Sequence, residues 1–210
     1  MLERWLEAFG PRYGSPVWTL GAIALATVFV FGALRPRKER EWRSLGWAQA
    51  FVVALYAEMY GIPLTAYALA GLLDDTAFVD DHFHGHAWAY VFGWGDSGAV
   101  AIDVIGQTLI AVGAIITLWG WRALHGAGEA MAQRGPYRWI RHPQYLGFFL
   151  FLTGSVINWP TFLTLLMYPV LLSVYVRLAK VEEGDSELRF GSDYVRYRDR
   201  SGMFLPRWSR

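Results

Sequence analysis

Long apolar stretches separated by short charged connections run along this chain. Residues that are uncharged or nearly so fill positions 17–34, 45–73, 99–121 and 145–178. The first of these stretches has 18 residues, and at about 1.5 Å per helical residue it comes close to the roughly 30 Å hydrocarbon core of a bilayer. The pattern therefore predicts helices that cross a membrane.

The last apolar stretch is 34 residues long and contains Asn158-Trp159-Pro160 near its middle. This tripeptide is typical of a turn, so we expect two spans, 145–157 and 160–178, joined as a tight helical hairpin. The sequence thus predicts five spans in a single all-α membrane domain over residues 1–210.

The basic residues predict the orientation of these spans. Positions 44–121 contain no lysine or arginine, whereas 35–40, 122–141 and 177–210 are rich in them. Because basic loops stay on the cytoplasmic side, we expect the N-terminus outside and the C-terminus in the cytoplasm. The expected location is the inner (cell) membrane of a bacterium.

The composition supports this interpretation. Hydrophobic residues make up 54% of the chain and charged residues 18%, which is too apolar for an ordinary soluble domain. A net charge of +1 gives no field that would attract nucleic acid. Since there is no cysteine, any chemistry must come from histidines, carboxylates and other polar side chains.

A polar loop on the predicted outer side could hold a metal ion. His82, His84 and His86 alternate behind Asp80 and Asp81, and nitrogen and oxygen ligands of this kind suit divalent transition metals. A polar loop that only caps the helices explains the same residues, so both interpretations stay open at this stage.

Two acidic residues fall within the predicted spans. Glu58 should face the bundle interior or a watery cavity, because an ionisable group in the membrane is costly. Asp103 lies near the outer interface, where solvation accounts for it.

The segment 93–98 spells G-x-G-x-x-G. No strand pattern precedes it, so we expect no dinucleotide site there.

A different kind of segment precedes the fourth predicted span. Residues 134–147 combine three arginines, a histidine, two tyrosines and a tryptophan. Pro143 suits the first turn of a helix, which puts His142 beside a helix N-terminus where free amides favour an anion such as a carboxylate. An ordinary basic, aromatic anchor at the membrane surface is the alternative.

The tail after the fifth span carries acidic and aromatic residues. Glu182 and Glu183 break the basic trend of this membrane face, and Tyr194 and Tyr197 follow. Carboxylates can bind ribose hydroxyls or a cationic group, although a solvated helix end would look the same.

Together these segments resemble a known family. The matching features are Gly135-Pro136-Tyr137, Arg141-His142-Pro143, Tyr145, Gly147, Glu182-Glu183, Phe190-Gly191, Tyr194, Tyr197 and Pro206, in that order. Over residues 120–208 the chain is similar to the isoprenylcysteine carboxyl methyltransferase and phospholipid methyltransferase superfamily.

The resemblance implies an integral-membrane enzyme that transfers a methyl group from S-adenosylmethionine to a lipophilic acceptor arriving from the bilayer. It implies cofactor-site elements at 134–147 and 180–208. By this likeness, the positions that would contact the cofactor are Tyr137, His142, Pro143, Gln144, Tyr145 and Glu182.

One departure concerns the acceptor. The prenylcysteine enzymes carry an arginine where this chain has Leu178, and Arg177 lies one step earlier. A one-residue offset turns a helical side chain by about 100°, so the resemblance alone does not establish a carboxylate acceptor. Prenylcysteine, phospholipid amine, small thiol and isoprenoid alcohol all remain open.

Methyl transfer depends on alignment of the methyl donor with the acceptor more than on a covalent intermediate with the enzyme. Glu183, Arg177 or Glu58 could orient the acceptor, with Glu183 and Arg177 as the first candidates. Two other functions remain: a metal-handling or transport protein that uses the outer Asp/His loop, and a reductase on a related membrane scaffold.

Overall fold

The computed structural model describes residues 24, 28, 49–55 and 86–207. Within these residues the chain is helical and contains no strand, apart from one isolated bridge between Ile140 and Gly202. The prediction of an all-α protein is therefore confirmed for this part of the chain. Most of the first two predicted spans, including Glu58, lies outside the described residues.

Five helices and one 3₁₀ turn make up residues 86–207. They are α1 His86–Phe92, α2 Gly95–Ala127, the 3₁₀ turn Gly135–Arg138, α3 Pro143–Asn158, α4 Phe162–Phe190 and α5 Ser192–Arg200. Helix α1 leads into the segment 93–98, so no strand precedes those glycines, as the sequence predicts.

Two of these helices, α2 and α4, are long and apolar enough to cross a membrane by length and composition. Both are longer than the spans predicted from the sequence, and α4 continues to Phe190 where the predicted span ends at 178. The apolar stretch marks how much helix the bilayer can cover, whereas α4 continues beyond it through polar residues, among which Glu182, Glu183 and Glu187 favour helix.

Helices α3 and α4 form an antiparallel hairpin. Thr161 caps α4, where its hydroxyl accepts a hydrogen bond from the Thr164 N–H at 3.1 Å. Farther along, the hydroxyls of Thr153 and Tyr168 lie 2.7 Å apart, and the rings of Tyr145 and Tyr175 meet with centroids 5.3 Å apart. The beginning of α3 thereby lies beside the second half of α4.

Glycines bring α2 and α3 into backbone contact. They recur every seven residues, at 106, 113 and 120 on α2 and at 147 and 154 on α3. A methyl group added at Gly113 would lie 2.5 Å from the Gly147 carbonyl oxygen and 2.6 Å from the Phe151 nitrogen. Small residues at helix interfaces permit this approach in membranes, so we call these five positions the glycine interface.

A buried cluster joins α3 and α4 to the helical residues 49–55. Its members are Phe51, Val52, Leu55, Phe148, Phe151, Leu152, Val156, Trp159, Met167, Leu171, Tyr175 and Leu178. Leu178 is packed in this core, with 8% of its surface exposed. The prenylcysteine enzymes carry an arginine at this position, whereas here the position is filled by an apolar side chain that packs in the core.

Candidate active site

The Arg-His-Pro segment enters α3 in the manner that the sequence predicts. Pro143 occupies the first turn of the helix and His142 is the N-cap residue. The missing N–H of a proline has no consequence at this position, and its fixed φ suits the helix. The local sequence therefore fixes where the helix begins and where the imidazole emerges.

The C-terminal tail pairs with this segment through the backbone. The Arg141 N–H donates to the Gly202 carbonyl at 2.8 Å, and the His142 N–H donates to the Met203 carbonyl at 3.1 Å. In return the Gly202 N–H donates to the Trp139 carbonyl at 3.1 Å. This short ladder holds residues 139–142 against a part of the chain about 60 positions later.

Helix α5 supports the same segment from its side. The Tyr197 hydroxyl donates a hydrogen bond to the Tyr137 carbonyl at 2.7 Å. Both Tyr194 and Tyr197 are buried. Burial raises the pKa of Tyr197 to about 12, so its phenol stays protonated and keeps donating at physiological pH.

Arg141 connects three parts of the site. Its Nε donates to Glu183 Oε1 at 2.6 Å, and one terminal nitrogen donates to the carbonyls of Arg198 and Ser201. The side chains of Arg141 and Glu183 are only 11% and 16% exposed. A guanidinium that binds a carboxylate and two carbonyls in this way fixes the end of α4 and the tail relative to α3.

His142 lies between the two adjacent glutamates. Its Nε2 is 3.3 Å from Glu183 Oε1, and its Nδ1 is 3.5 Å from Glu182 Oε2. Burial by itself would lower the pKa of His142, but the hydrogen bonds and negative charges of both glutamates outweigh it and raise the pKa above 6.5. The imidazole is therefore held towards its protonated form.

The two glutamates differ in their surroundings. Glu183 is bound by Arg141 and His142 and is largely covered, whereas the Glu182 side chain is 34% exposed. Glu182 Oε1 accepts a hydrogen bond from the Tyr145 hydroxyl at 2.6 Å. The Tyr145 ring in turn stacks on the His142 ring, with centroids 5.6 Å apart and an interplanar angle of 3°. Glu182 thus presents a carboxylate edge beside two stacked rings.

The structure brings some of the predicted site residues together and separates others. His142, Tyr145, Glu182 and Glu183 form one cluster, which we call the polar cluster together with Arg141. Tyr137 and Pro143 are buried beside it.

Two other predicted residues lie apart from the polar cluster. Gln144 lies against Gly120 of α2, and Arg177 is exposed on α4. In residues 86–207 no hydrogen bond or ion pair joins either side chain to the cluster.

Some residues of the site were not predicted. Arg141 belongs to the Arg-His-Pro motif, but its partner Glu183 is 42 positions away, and nothing in the local sequence indicates the pairing. The tail contributes the Phe204 ring, whose centroid lies 5.9 Å from that of His142. Phe204 lies in a C-terminal segment without a periodic hydrophobic pattern, so the sequence did not predict that its ring would pack beside His142.

The predicted metal candidates are not tested by the structure. His82 and His84 lie outside the described residues, and His86 is the first residue of α1. Within the described part of the chain, no group of three or more metal-binding side chains comes together.

Comparisons with known proteins agree with the sequence resemblance. Residues 99–186 match the isoprenylcysteine carboxyl methyltransferase (ICMT) family. Over 79 residues the chain is 31% identical to the protein-S-isoprenylcysteine O-methyltransferase of Saccharomyces cerevisiae, which is 37% of this chain. The matched region spans 33% of the length of that relative.

No solved structure matches the chain. The family match covers all of α3 and most of α2 and α4, and hence the glycine interface and all five residues of the polar cluster. In residues 99–186, this chain has the sequence pattern of the ICMT-like membrane methyltransferase superfamily.

Proposed function

We propose that this protein is a membrane methyltransferase that uses S-adenosylmethionine at the polar cluster. The observation that carries the proposal is the meeting of His142 and Tyr145, at the start of α3, with Glu182 near the end of α4. Glu182 keeps an accessible carboxylate there, while Glu183 is occupied by Arg141 and His142. The family match over the same residues supports it.

The chemistry of the cluster fits this cofactor. S-adenosylmethionine carries a cationic sulfonium, an ammonium, a carboxylate and ribose hydroxyls. An accessible carboxylate suits its cations or hydroxyls, tyrosine faces attract a cation, and the protonated imidazole at a helix N-terminus suits its carboxylate. The residues that would hold it are Tyr137, His142, Pro143, Tyr145 and Glu182. The sixth residue of the sequence prediction, Gln144, lies against α2 and is not part of this proposal.

The bound cofactor would supply a methyl group on a positively charged sulfur. The protein itself would bind the cofactor, orient it towards the acceptor and exclude water from the site. Arg141 and Glu183 hold α3, α4 and the tail in one arrangement, and proximity of this kind supplies much of the rate in a displacement reaction. We propose that Arg177, which is exposed on α4, orients the acceptor. Glu183 acts indirectly, because it holds Arg141 and His142 in place.

The proposed acceptor is a lipophilic molecule that approaches from the bilayer. Apolar side chains on α2 and α4, among them Val112, Ile115 and Leu166, are exposed, as expected for helices in contact with lipid. Leu178 occupies a core position and leaves no arginine there for an acceptor carboxylate, so we favour an acceptor without one. The proposed location is the inner membrane with the cluster facing the cytoplasm.

Calorimetry on the purified protein in detergent tests the proposal. S-adenosylmethionine or its demethylated product should bind, and Glu182→Gln or His142→Ala should weaken binding roughly ten- to hundredfold, because a charge-assisted hydrogen bond contributes about 1.5–3 kcal/mol. The matched control Glu129→Gln, an exposed glutamate outside the cluster, should bind normally, as should Asp81→Asn and His84→Ala.

The outcomes separate the candidate functions. Absence of binding at millimolar ligand would reject the methyltransferase. If only the changes in the outer Asp/His loop, Asp81→Asn and His84→Ala, impaired the protein and the changes in the polar cluster did not, the result would favour the metal-handling alternative.

Orientation needs a separate experiment. Because the chain has no cysteine, Ser97→Cys and Ser192→Cys each introduce a single thiol at an exposed position. A membrane-impermeant thiol reagent on intact cells should label position 97 and spare position 192. Labelling of position 192 would put the polar cluster on the side opposite a cytoplasmic methyl donor and contradict the proposed location.

A further inference from the structure

An exposed aromatic and basic surface lies where α2 meets the 3₁₀ turn. It consists of Trp119, Arg122, Arg134, Arg138 and Trp139, which we call the Trp–Arg patch. The two indole rings pack edge to face, with centroids 6.2 Å apart and an interplanar angle of 61°. They are 46% and 50% exposed, respectively, which is unusual for the largest apolar side chains.

The backbone brings the five residues to one junction. A Cβ atom added at Gly135 would lie 3.2 Å from Trp119 Nε1 and 3.5 Å from Ala123 Cβ, so the turn rests directly on α2. Arg134 precedes this glycine in the chain, and Arg138 precedes Trp139. Arg122 lies three residues after Trp119 and therefore on the same face of α2.

The three arginines of the patch differ from six arginines later in the chain. Arg141, Arg189, Arg196, Arg198, Arg200 and Arg207 all bind a carboxylate, an amide oxygen or a backbone carbonyl. Arg122, Arg134 and Arg138 are exposed and have no such partner among the described residues. Glu129 is the only acidic residue between positions 104 and 181, so the sequence around the patch offers little negative charge.

The position along α2 indicates what could neutralise these cations. Arg122 is the first basic residue after Arg43 and follows the apolar part of a helix that is long enough to cross a membrane. Tryptophan and arginine at such a helix end lie at the depth of the lipid headgroups. A guanidinium binds phosphate through two parallel hydrogen bonds.

We propose that the Trp–Arg patch binds the headgroup phosphate of an anionic phospholipid. The arginines supply the charge, and the indoles pack on the glycerol and upper acyl region of the lipid. None of its five residues belongs to the polar cluster, and the proposal does not depend on the proposed methyl transfer. It requires only that α2 cross the membrane.

The test measures lipid binding to the purified full-length protein in neutral detergent by native mass spectrometry. Dioleoylphosphatidylglycerol should bind more tightly than dioleoylphosphatidylcholine. Since each arginine near a lipid surface contributes about 1 kcal/mol, R122Q/R134Q/R138Q should weaken phosphatidylglycerol binding roughly hundredfold. The matched control R189Q/R196Q/R207Q loses the same charge elsewhere and should keep the preference for this lipid.

Several results would overturn the proposal. The first is equal binding of the two lipids. The second is an equal loss of phosphatidylglycerol affinity in both triple variants. The third is displacement of the lipid by inorganic phosphate at the same concentration, which would indicate that the patch binds a soluble anion. Should the triple variant fail to fold, R134Q and R138Q singly are each expected to weaken binding about fivefold.

Discussion

Helix α3 makes two contacts of opposite character. Along its length it meets α2 at the glycine interface, where backbone lies on backbone and a single added methyl group has no room. At its beginning it meets α4 and the tail at the polar cluster, where charged side chains connect segments far apart in sequence. The same helix is thus positioned by volume on one side and by charge on the other.

The difference shows how each kind of contact specifies geometry in an apolar surrounding. Lipid tails are as apolar as leucine, so close packing of small residues takes over much of the role that the hydrophobic effect has in water. Charged groups define direction as well as distance, but an uncompensated charge left in a buried place is costly. We therefore expect the two contacts to fail differently when altered.

The largest effect is expected from removing the central charge of the polar cluster. Arg141→Gln leaves Glu183 without its strongest partner and releases two backbone carbonyls. Breaking a buried ion pair in this way costs about 3–5 kcal/mol, or a fall of roughly 10 °C in Tm for a chain of this size. Thermal unfolding followed by circular dichroism in detergent measures it.

A matched control uses Arg196→Gln. Arg196 pairs with Asp193, and both side chains are mostly exposed, so its loss should cost less than about 1 kcal/mol. Equal losses in the two variants would show that Arg141 has no special place in the cluster.

The glycine interface should respond to volume alone. Gly113→Ala puts a methyl group within 2.6 Å of two backbone atoms of α3, and such overpacking costs about 1–3 kcal/mol. Gly126→Ala, on the same helix but in open space, should be neutral or slightly stabilising because alanine favours helix. If both variants melt at the wild-type temperature, the close approach of α2 and α3 is wrong.

A smaller effect is expected where α5 supports the polar cluster. Tyr197→Phe removes the hydrogen bond to the Tyr137 carbonyl while keeping the ring in its buried place. The expected cost is about 1 kcal/mol. Hydrogen exchange should show faster exchange at residues 139–142 and 201–203, and no change at α2. A change spread evenly over both regions would contradict the separation of the two contacts.

The smallest effect is expected from pH, since it comes from one proton. Folding raises the pKa of His142 because Glu182 and Glu183 outweigh the effect of burial. The stabilisation from the protonated imidazole is therefore complete below pH 6.5 and is lost as pH rises through the higher pKa of the folded state.

The difference in Tm between wild type and His142→Gln should accordingly shrink as pH rises above 6.5. A difference that grows with pH would show that the imidazole is neutral in the folded protein.

The sequence predicted what depends on neighbouring residues. The turn at 158–160, the helical start at Pro143 and the all-helical class all follow from local composition, and the structure has them. The ends of the helices were harder to predict from the sequence. Hydropathy indicates the length of the apolar part of α4, but the helix itself continues to Phe190.

What the sequence did not predict depends on distant residues. The pairing of Arg141 with Glu183 and the ladder to Gly202 join segments about 40 and 60 positions apart. The seven-residue spacing of glycines at 106, 113 and 120 was visible in the sequence and typical of a left-handed helix pair, but only the structure shows which helix they face.

The ladder between residues 139–142 and 201–203 has a consequence for biosynthesis. Helices α2 and α4 are long and apolar enough to cross a membrane, but the backbone partners of Arg141 and His142 are made some 60 residues after these two residues. The backbone ladder that holds residues 139–142 is therefore completed only after α4 and the tail have both been made. In a nascent chain that stops at residue 200, the N–H groups of Arg141 and His142 would lack their carbonyl partners.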